Sequence, residues 1–391
     1  MLNFPLEIKA VNKLKNSLMK KILFLILILF GINLIAQEKS DLEFFLKGAQ
    51  VTDITSDGAN LWFATNGNGI FKYIPSSNAW MAYSTSNGNL LHDFFYCIAA
   101  NKDFVWAGST DGLFILDIKR GTWTKRKFGL GGQLANWIRA LAFDKYENVL
   151  WVGRFKYLTK FNLKERRYSD YDLTVGKNDK TNNIKTIQVD GDSLVWFGTE
   201  AGLHKYDKSK DLNDNKAITF YDTKYNFFDG EGEQVSITSL LFERKNIWIG
   251  LDEFITPERP EFNLGGLFRF NRRNDWQRFD DKNGLPANGI YDLERTGNYI
   301  WVSLYQFGKS TKEFFGRGMI LIDRLNNQVI PVRDERIPNT VYSIFFDGTN
   351  LWLGTESGLI KVNFFNKLAQ WMGVLRKESF GHGDAKSGVK K

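Results

Sequence analysis

The sequence predicts an all-β fold, a seven-bladed β-propeller of four-stranded antiparallel blades. Three observations carry that prediction: a tryptophan phrase that recurs seven times, a glycine-marked turn after most copies, and no helical periodicity beyond residue 36. The phrase reads "LWFAT" (Trp62), "VWAGS" (Trp106), "LWVGR" (Trp151), "VWFGT" (Trp196), "IWIGL" (Trp248), "IWVSL" (Trp301) and "LWLGT" (Trp352). Its intervals are 44, 45, 45, 52, 53 and 51 residues. A repeat of this length holding several short apolar segments is one propeller blade.

Each copy has the same four parts. The first strand carries an apolar residue at Val51, Phe95, Ile138, Ile184, Ile237, Ile290 and Val341, and another three residues later at Ile54, Ile98, Leu141, Ile187, Leu240, Leu293 and Ile344. Between them stand Asp53, Cys97, Ala140, Thr186, Ser239, Asp292 and Ser343, mostly small, as strands crowded around a common axis require. Cys97 therefore reads as a core residue. It is the only cysteine, so no internal disulfide is possible. A polar turn, often Asp-Gly or Gly-Asn, leads into the Trp strand, whose indoles read as packing between blades, burying roughly 150–250 Å² each. A second turn brings Gly69, Gly112, Gly202, Gly266, Gly318 and Gly358, a residue that tolerates positive φ. The third strand is apolar, and the fourth carries an aromatic in most copies ("AWMAYS", "TWTKRK", "RYSDYD", "DWQRFD"). In the last copy "AQWMGV" (369–374) is expected to be the fourth strand, which would leave "DLEFFL" (41–46) dispensable.

The propeller is assigned to 51–375, preceded by an N-terminal extension with a signal peptide (1–37) and a short segment (38–50), and followed by a basic tail (376–391). Lys20 and Lys21 stand before the fifteen-residue apolar run 22–36, which is shorter than the roughly 20 residues a spanning helix needs. That pattern predicts export, with a mature chain beginning near Gln37, a true start at Met19, and no stable membrane span after processing. An uncleaved anchor is the alternative. The net charge of +8 resides mainly in the two ends, and residues 38–375 hold 42 basic against 41 acidic side chains. A nearly neutral body leaves no electrostatic footprint for nucleic acid. The basic runs at 119–127 and 164–167 read as solvated hairpin turns.

The phrase "NGLPANGIYDL" (283–293), followed by "YIWVSL" and "NNQVIPVRD", resembles the two-component regulator propeller repeat. The resemblance covers about 51–375 and is strongest in copies four and seven; copy three, "VGRFKYLTK", departs most. It implies the periplasmic sensing region of a bacterial hybrid two-component system, a class in which some members respond to polysaccharide fragments. With no kinase or receiver pattern among these 391 residues, it implies the sensing propeller by itself, in the periplasm or outside the cell. The repeat brings no catalytic residues with it.

The chain is poor in chemistry. Its three histidines are His92, His204 and His382, and no paired-Cys, calcium-loop, metalloprotease or nucleophile-elbow pattern occurs. Neither a metal nor a cofactor is expected. Glu200 and Glu356 occupy equivalent places in two blades, as repetition alone would produce. What breaks the symmetry is length. Between the Trp strand and the third strand, copies five and six carry extra loops of about twelve and eleven residues, and per-repeat insertions commonly mark a binding face. "LDEFITPERPEFNL" (251–264) is acidic and "LYQFGKSTKEFFGR" (304–317) is basic, so the two would either brace each other or form a wall over the axial mouth.

The ligand-binding candidates are accordingly Phe254, Arg259, Tyr305, Phe307, Lys309 and Phe314 in the loops, with His92, Arg139, Glu200 and Glu356 around the mouth. Asn66 reads as lying apart from them. The leading expectation is an exported, monomeric, non-catalytic propeller that binds a glycan or an envelope protein on this face. The alternatives are a propeller-type lyase or glycosidase acting on polysaccharide at the mouth, which would need a His, Tyr or carboxylate cluster there, and a protein–protein scaffold of the envelope.

Overall fold

The computed structural model describes residues 41–129, 132–224, 227–228, 234–253, 265–308, 310–311, 313–363, 367–368 and 371. The expected signal segment and basic tail lie outside them. The chain divides into two compact units, Met1–Asp41 and Leu42–Lys391, and the second is the propeller.

Seven four-stranded antiparallel sheets form the ring. The inner strands are Val51–Ser56, Cys97–Ala100, Ile138–Asp144, Ile184–Asp190, Ile237–Phe242, Gly289–Thr296 and Val341–Phe346, and each contacts the inner strand of the next blade, the seventh returning to the first. The core is correspondingly divided. Among the described residues seven hydrophobic clusters are present, one per blade interface, and each takes the tryptophan of one blade and the inner-strand apolar pair of the next. All seven of these indoles are at most 1% exposed. In five blades the ring nitrogen donates to the residue that opens the first turn, as Trp62 does to Asp57 at 2.8 Å and Trp352 to Asp347 at 2.7 Å. One residue type thus serves both the turn and the packing.

The glycine in Trp-x-Gly has a separate cause. A β-carbon on Gly153 would lie 2.7 Å from Ile184 Cγ2, and one on Gly250 the same distance from Ile290 Cγ2. Only a bare backbone lets the next blade's inner strand approach so closely. The Thr or Ser that follows closes the second turn, Thr199 Oγ1 donating to Gly202 O at 2.8 Å and Thr355 Oγ1 to Gly358 O at 2.7 Å. Blade three, the aberrant copy, buries Arg154 there instead, paired with Asp170 at 2.8 Å, and Tyr157 adopts the positive φ that glycine takes elsewhere.

Two expectations are corrected. The fourth strand of blade seven is Leu42–Phe45, paired with Gly358–Asn363 from Leu42↔Val362 to Phe45↔Leu359. The N-terminal strand is therefore part of the ring. Of 369–374 only Trp371 is described, and its ring meets Trp301 at 5.4 Å rather than extending the sheet. Phe45 explains the choice: it packs 5.1 Å from Trp80, 6.1 Å from Trp352 and 6.4 Å from Tyr73, sealing the joint between blades seven and one. The second correction concerns copy six. Its added residues are mainly a continuation of the sheet, Tyr299–Phe307 against Phe314–Asp323, so a projecting hairpin replaces the expected loop.

Candidate ligand site at the axial mouth

The start of each inner strand, the end of each Trp strand and the second turn share one end of the ring, the mouth face. There the inner strand is irregular in six blades. Register shifts between Val51 and Asp53, Ile138 and Ala140, Ile184 and Thr186, Ile237 and Ser239, Ile290 and Asp292, and Val341 and Ser343 leave one bulged residue each: Thr52, Arg139, Lys185, Thr238, Tyr291 and Tyr342. Tyr96 holds the position in blade two. The cause is in the spacing. Side chains alternate along a regular strand, so apolar residues three apart would face opposite ways, yet Ile184 and Ile187 enter one cluster, as do Ile237 and Leu240. An extra residue between them restores the phase and turns its own side chain toward the mouth.

These seven side chains are all half-buried, and with their neighbours they form a continuous girdle. Thr52 donates to Phe95 O across the first interface at 2.8 Å. Tyr96 meets Trp137 at 6.2 Å, and Trp137 stacks on Phe155 at 5.2 Å and 9°. Arg139 lies by both of those rings and donates to Asn183 Oδ1 at 2.7 Å and Glu200 Oε1 at 2.8 Å, joining blades three and four. Lys185 repeats the arrangement one blade on, donating to Ser236 Oγ at 3.0 Å and pairing with Asp252. The Tyr305 hydroxyl donates to the other Asp252 oxygen at 2.5 Å. Tyr291 then packs against Tyr305 at 4.4 Å and Tyr342 at 5.3 Å. Gln50 donates to the Tyr342 hydroxyl at 2.6 Å and accepts from Asn66 at 2.6 Å, closing the circle.

The electrostatics follow from this packing. Burial by itself would raise the Asp252 acid, but the Lys185 charge and three hydrogen bonds hold it below its usual value. The Tyr305 phenol is pushed well up by burial and then by Asp252. Burial also raises Tyr291 and Tyr342, and the Glu356 charge adds to both.

The sequence candidates fall into four groups. Arg139, Glu200, Glu356 and Tyr305 belong to the girdle, although Tyr305 is only 2% exposed and acts through its hydroxyl. Phe307 and Phe314 lie on the blade-six hairpin 5.0 Å apart, with Phe314 and Phe315 exposed. Phe254, Arg259 and Lys309 lie outside the described residues. His92 packs on Phe95 (5.8 Å) and Phe114 (6.0 Å), its pKa lowered chiefly by burial. Asn66, expected to be remote, is in the girdle. Missed altogether were Gln50, Tyr96, Trp137, Asn183, Lys185, Asp252, Tyr291 and Tyr342. The bracing of the two insertions is visible at its root, where Glu253 accepts from Phe307 N at 3.1 Å beside the Asp252–Tyr305 bond. Among the described residues Glu200 and Glu356 do not meet, and no histidine joins a tyrosine at the mouth.

No protein-family model and no curated protein sequence matches the chain. Solved structures do. The extracellular domain of a hybrid two-component system from B. thetaiotaomicron superposes with a TM-score of 0.60 at 18% identity, over 82% of this chain and 39% of that one. The chain thus spans well under half the length of that sensor domain. Virginiamycin B lyase from Staphylococcus aureus gives 0.60 at 13% identity, over 83% of this chain and 98% of the lyase. The protein U3-55K gives 0.55 at 11% identity, over 84% of this chain and 99% of that one. The sensor-propeller resemblance read from the repeat holds at the level of the fold, and a fold shared by a sensor and a lyase leaves activity to the site.

Proposed function

We propose that the protein is a non-catalytic, extracytoplasmic binding module that holds a carbohydrate chain across its mouth face, in the periplasm or outside the cell. One observation carries the reading: the girdle itself, in which aromatic rings alternate with amide, hydroxyl and paired charged groups around a shared opening. Sugars present apolar ring faces edged with hydroxyls, and such a surface offers both stacking and bidentate hydrogen bonds. Because Arg139 and Lys185 are already bonded to Glu200 and Asp252, the polar groups are fixed in advance, which lowers the ordering cost of binding. The blade-six hairpin stands as a wall at one side, with Phe314 and Phe315 turned to solvent. The extracellular setting of a structural neighbour and the basic-then-apolar start of the chain support the placement.

The test is binding of the mature protein to a panel of envelope and plant-type polysaccharides by isothermal calorimetry. Trp137→Ala is expected to weaken the best ligand by about 1–3 kcal/mol. Met81→Ala, exposed on the outer strand of blade one, leaves affinity unchanged. A folded protein that binds nothing on the panel, or whose binding ignores Trp137, overturns the reading; capture of an envelope protein in its place would favour the protein-ligand alternative.

A further inference from the structure

The girdle repeats one device and then omits half of it. In two blades the bulged residue pairs with the residue that follows the Trp strand in the next blade. From blade three to four this pair is Arg139 and Glu200, and from four to five it is Lys185 and Asp252. From blade six to seven the equivalent positions are held by Tyr291, bulged between Ile290 and Asp292, and by Glu356, which follows the Trp strand Asn350–Thr355. The acid is retained and the cation is gone. Glu356 is exposed, and no partner for its carboxylate is found among the described residues. Its charge reaches the phenols of both Tyr291 and Tyr342. Those rings stand nearly perpendicular, 5.3 Å apart at 68°, with Tyr305 packed behind Tyr291. Around the girdle this leaves three carboxylates, Glu200, Asp252 and Glu356, against two cations.

We propose that Tyr291, Tyr342 and Glu356 form a subsite for a protonated amine, and that the carbohydrate held at the mouth carries amino sugars with free amino groups. The ligand then supplies the cation that Arg139 and Lys185 supply in the other two blades. Two electron-rich ring faces and one unpaired carboxylate are the chemistry that recognises an ammonium group, and a neutral hydroxyl gains nothing comparable from them. The inference rests on the mouth-bound glycan proposed above and narrows it.

The experiment titrates the mature protein with a glucosamine hexasaccharide, its fully N-acetylated counterpart, a glucose hexasaccharide and a trilysine peptide. The free-amine sugar is expected to bind at least about tenfold tighter than the N-acetylated one, as the loss of a cation–π and ion-pair contact implies. Glu356→Gln removes that preference, weakening the free-amine sugar by at least about tenfold relative to its N-acetylated counterpart, with the melting temperature held as a check on folding. The preference also fades as pH rises through the amine's own pKa. If all three sugars bind alike and Glu356→Gln changes nothing, the amine subsite is wrong and the mouth-bound glycan survives. If no sugar binds, here or on the wider panel, both fall. Binding of trilysine without the sugars overturns the amino-sugar assignment.

Discussion

Asp53 and Asp292 each tie one inner strand to the next, half-buried on the axial side of the ring. Asp53 accepts from Ile54 N at 2.8 Å and from Ile98 N at 2.7 Å, while Asp292 accepts from Leu293 N and Ile344 N, both at 2.8 Å. Burial pushes Asp53 up to about 7, with Asp292 adding to it, and Asp292 itself to about 6; Glu294, behind them, is pushed to about 7. A raised folded pKa means that the fold prefers the protonated acid. The stabilisation is complete below the unfolded value of roughly 4 and is lost as pH climbs through the folded one. His204, buried and lowered to about 4, opposes this only below pH 6.5, so the clean window lies above it. Between pH 6.5 and 8 the Asp53 contribution should fall by roughly 0.5–1 kcal/mol, allowing for water in the channel. Asp53→Asn should flatten the slope of melting temperature against pH across that window; an unchanged slope would show the acid to be ionised throughout. Gly153→Ala brings a methyl onto Ile184 and is expected to cost about 1–3 kcal/mol in urea unfolding. At this scale the core was legible in the sequence, down to Cys97 as a buried residue. The girdle was not. Its signal lay in the second column of the phrase, Thr-Tyr-Arg-Lys-Thr-Tyr-Tyr, between apolar residues whose spacing of three already demanded a bulge.

The strand Leu42–Phe45 completes blade seven by main-chain pairing, by the Lys361–Glu43 contact at 3.0 Å and by Phe45 between two blades. Removing residues 38–47 should therefore collapse the thermal transition or lower its midpoint by more than 10 °C, on the order of what several kcal/mol produces in a domain of this size. A melting curve close to the full chain's would mean that the ring closes without it. The blade-six hairpin is the contrasting element. Its tip carries exposed Phe314 and Phe315, and replacing residues 307–315 by a short Gly-containing turn should leave the melting temperature within a few degrees, because exposed extensions add little to the core. Most strands could be read from the sequence, but the outer strand of blade seven could not. "AQWMGV" and "DLEFFL" both have the pattern of an outer strand, and only the aromatic contacts of Phe45 and Trp371 decide between them.

At the scale of the whole molecule the period of the tryptophans fixes the number of blades, and the seven clusters show why: no blade has a core of its own, and each borrows half from its neighbour. A ring built this way has one joint unlike the other six, because blade seven takes its outer strand from the opposite end of the chain. Glu43 and Lys361 are 318 residues apart. At roughly 5–20 residues per second of synthesis, the first strand waits on the order of 15–60 seconds before its partner exists. For that interval the Leu42–Phe45 segment is an unpaired apolar edge, and blade one lacks the neighbour that covers Phe63 and Tyr73. A circularly permuted chain that starts at Val51 and carries residues 41–46 after Asn363 would make the last blade contiguous, like the other six. It should melt within a few degrees of the natural order and refold faster after dilution from denaturant, since its closing contacts become local. The position of one four-residue strand thus sets a timetable: every blade of the natural chain can be made in order, and none of the ring is sealed until the end.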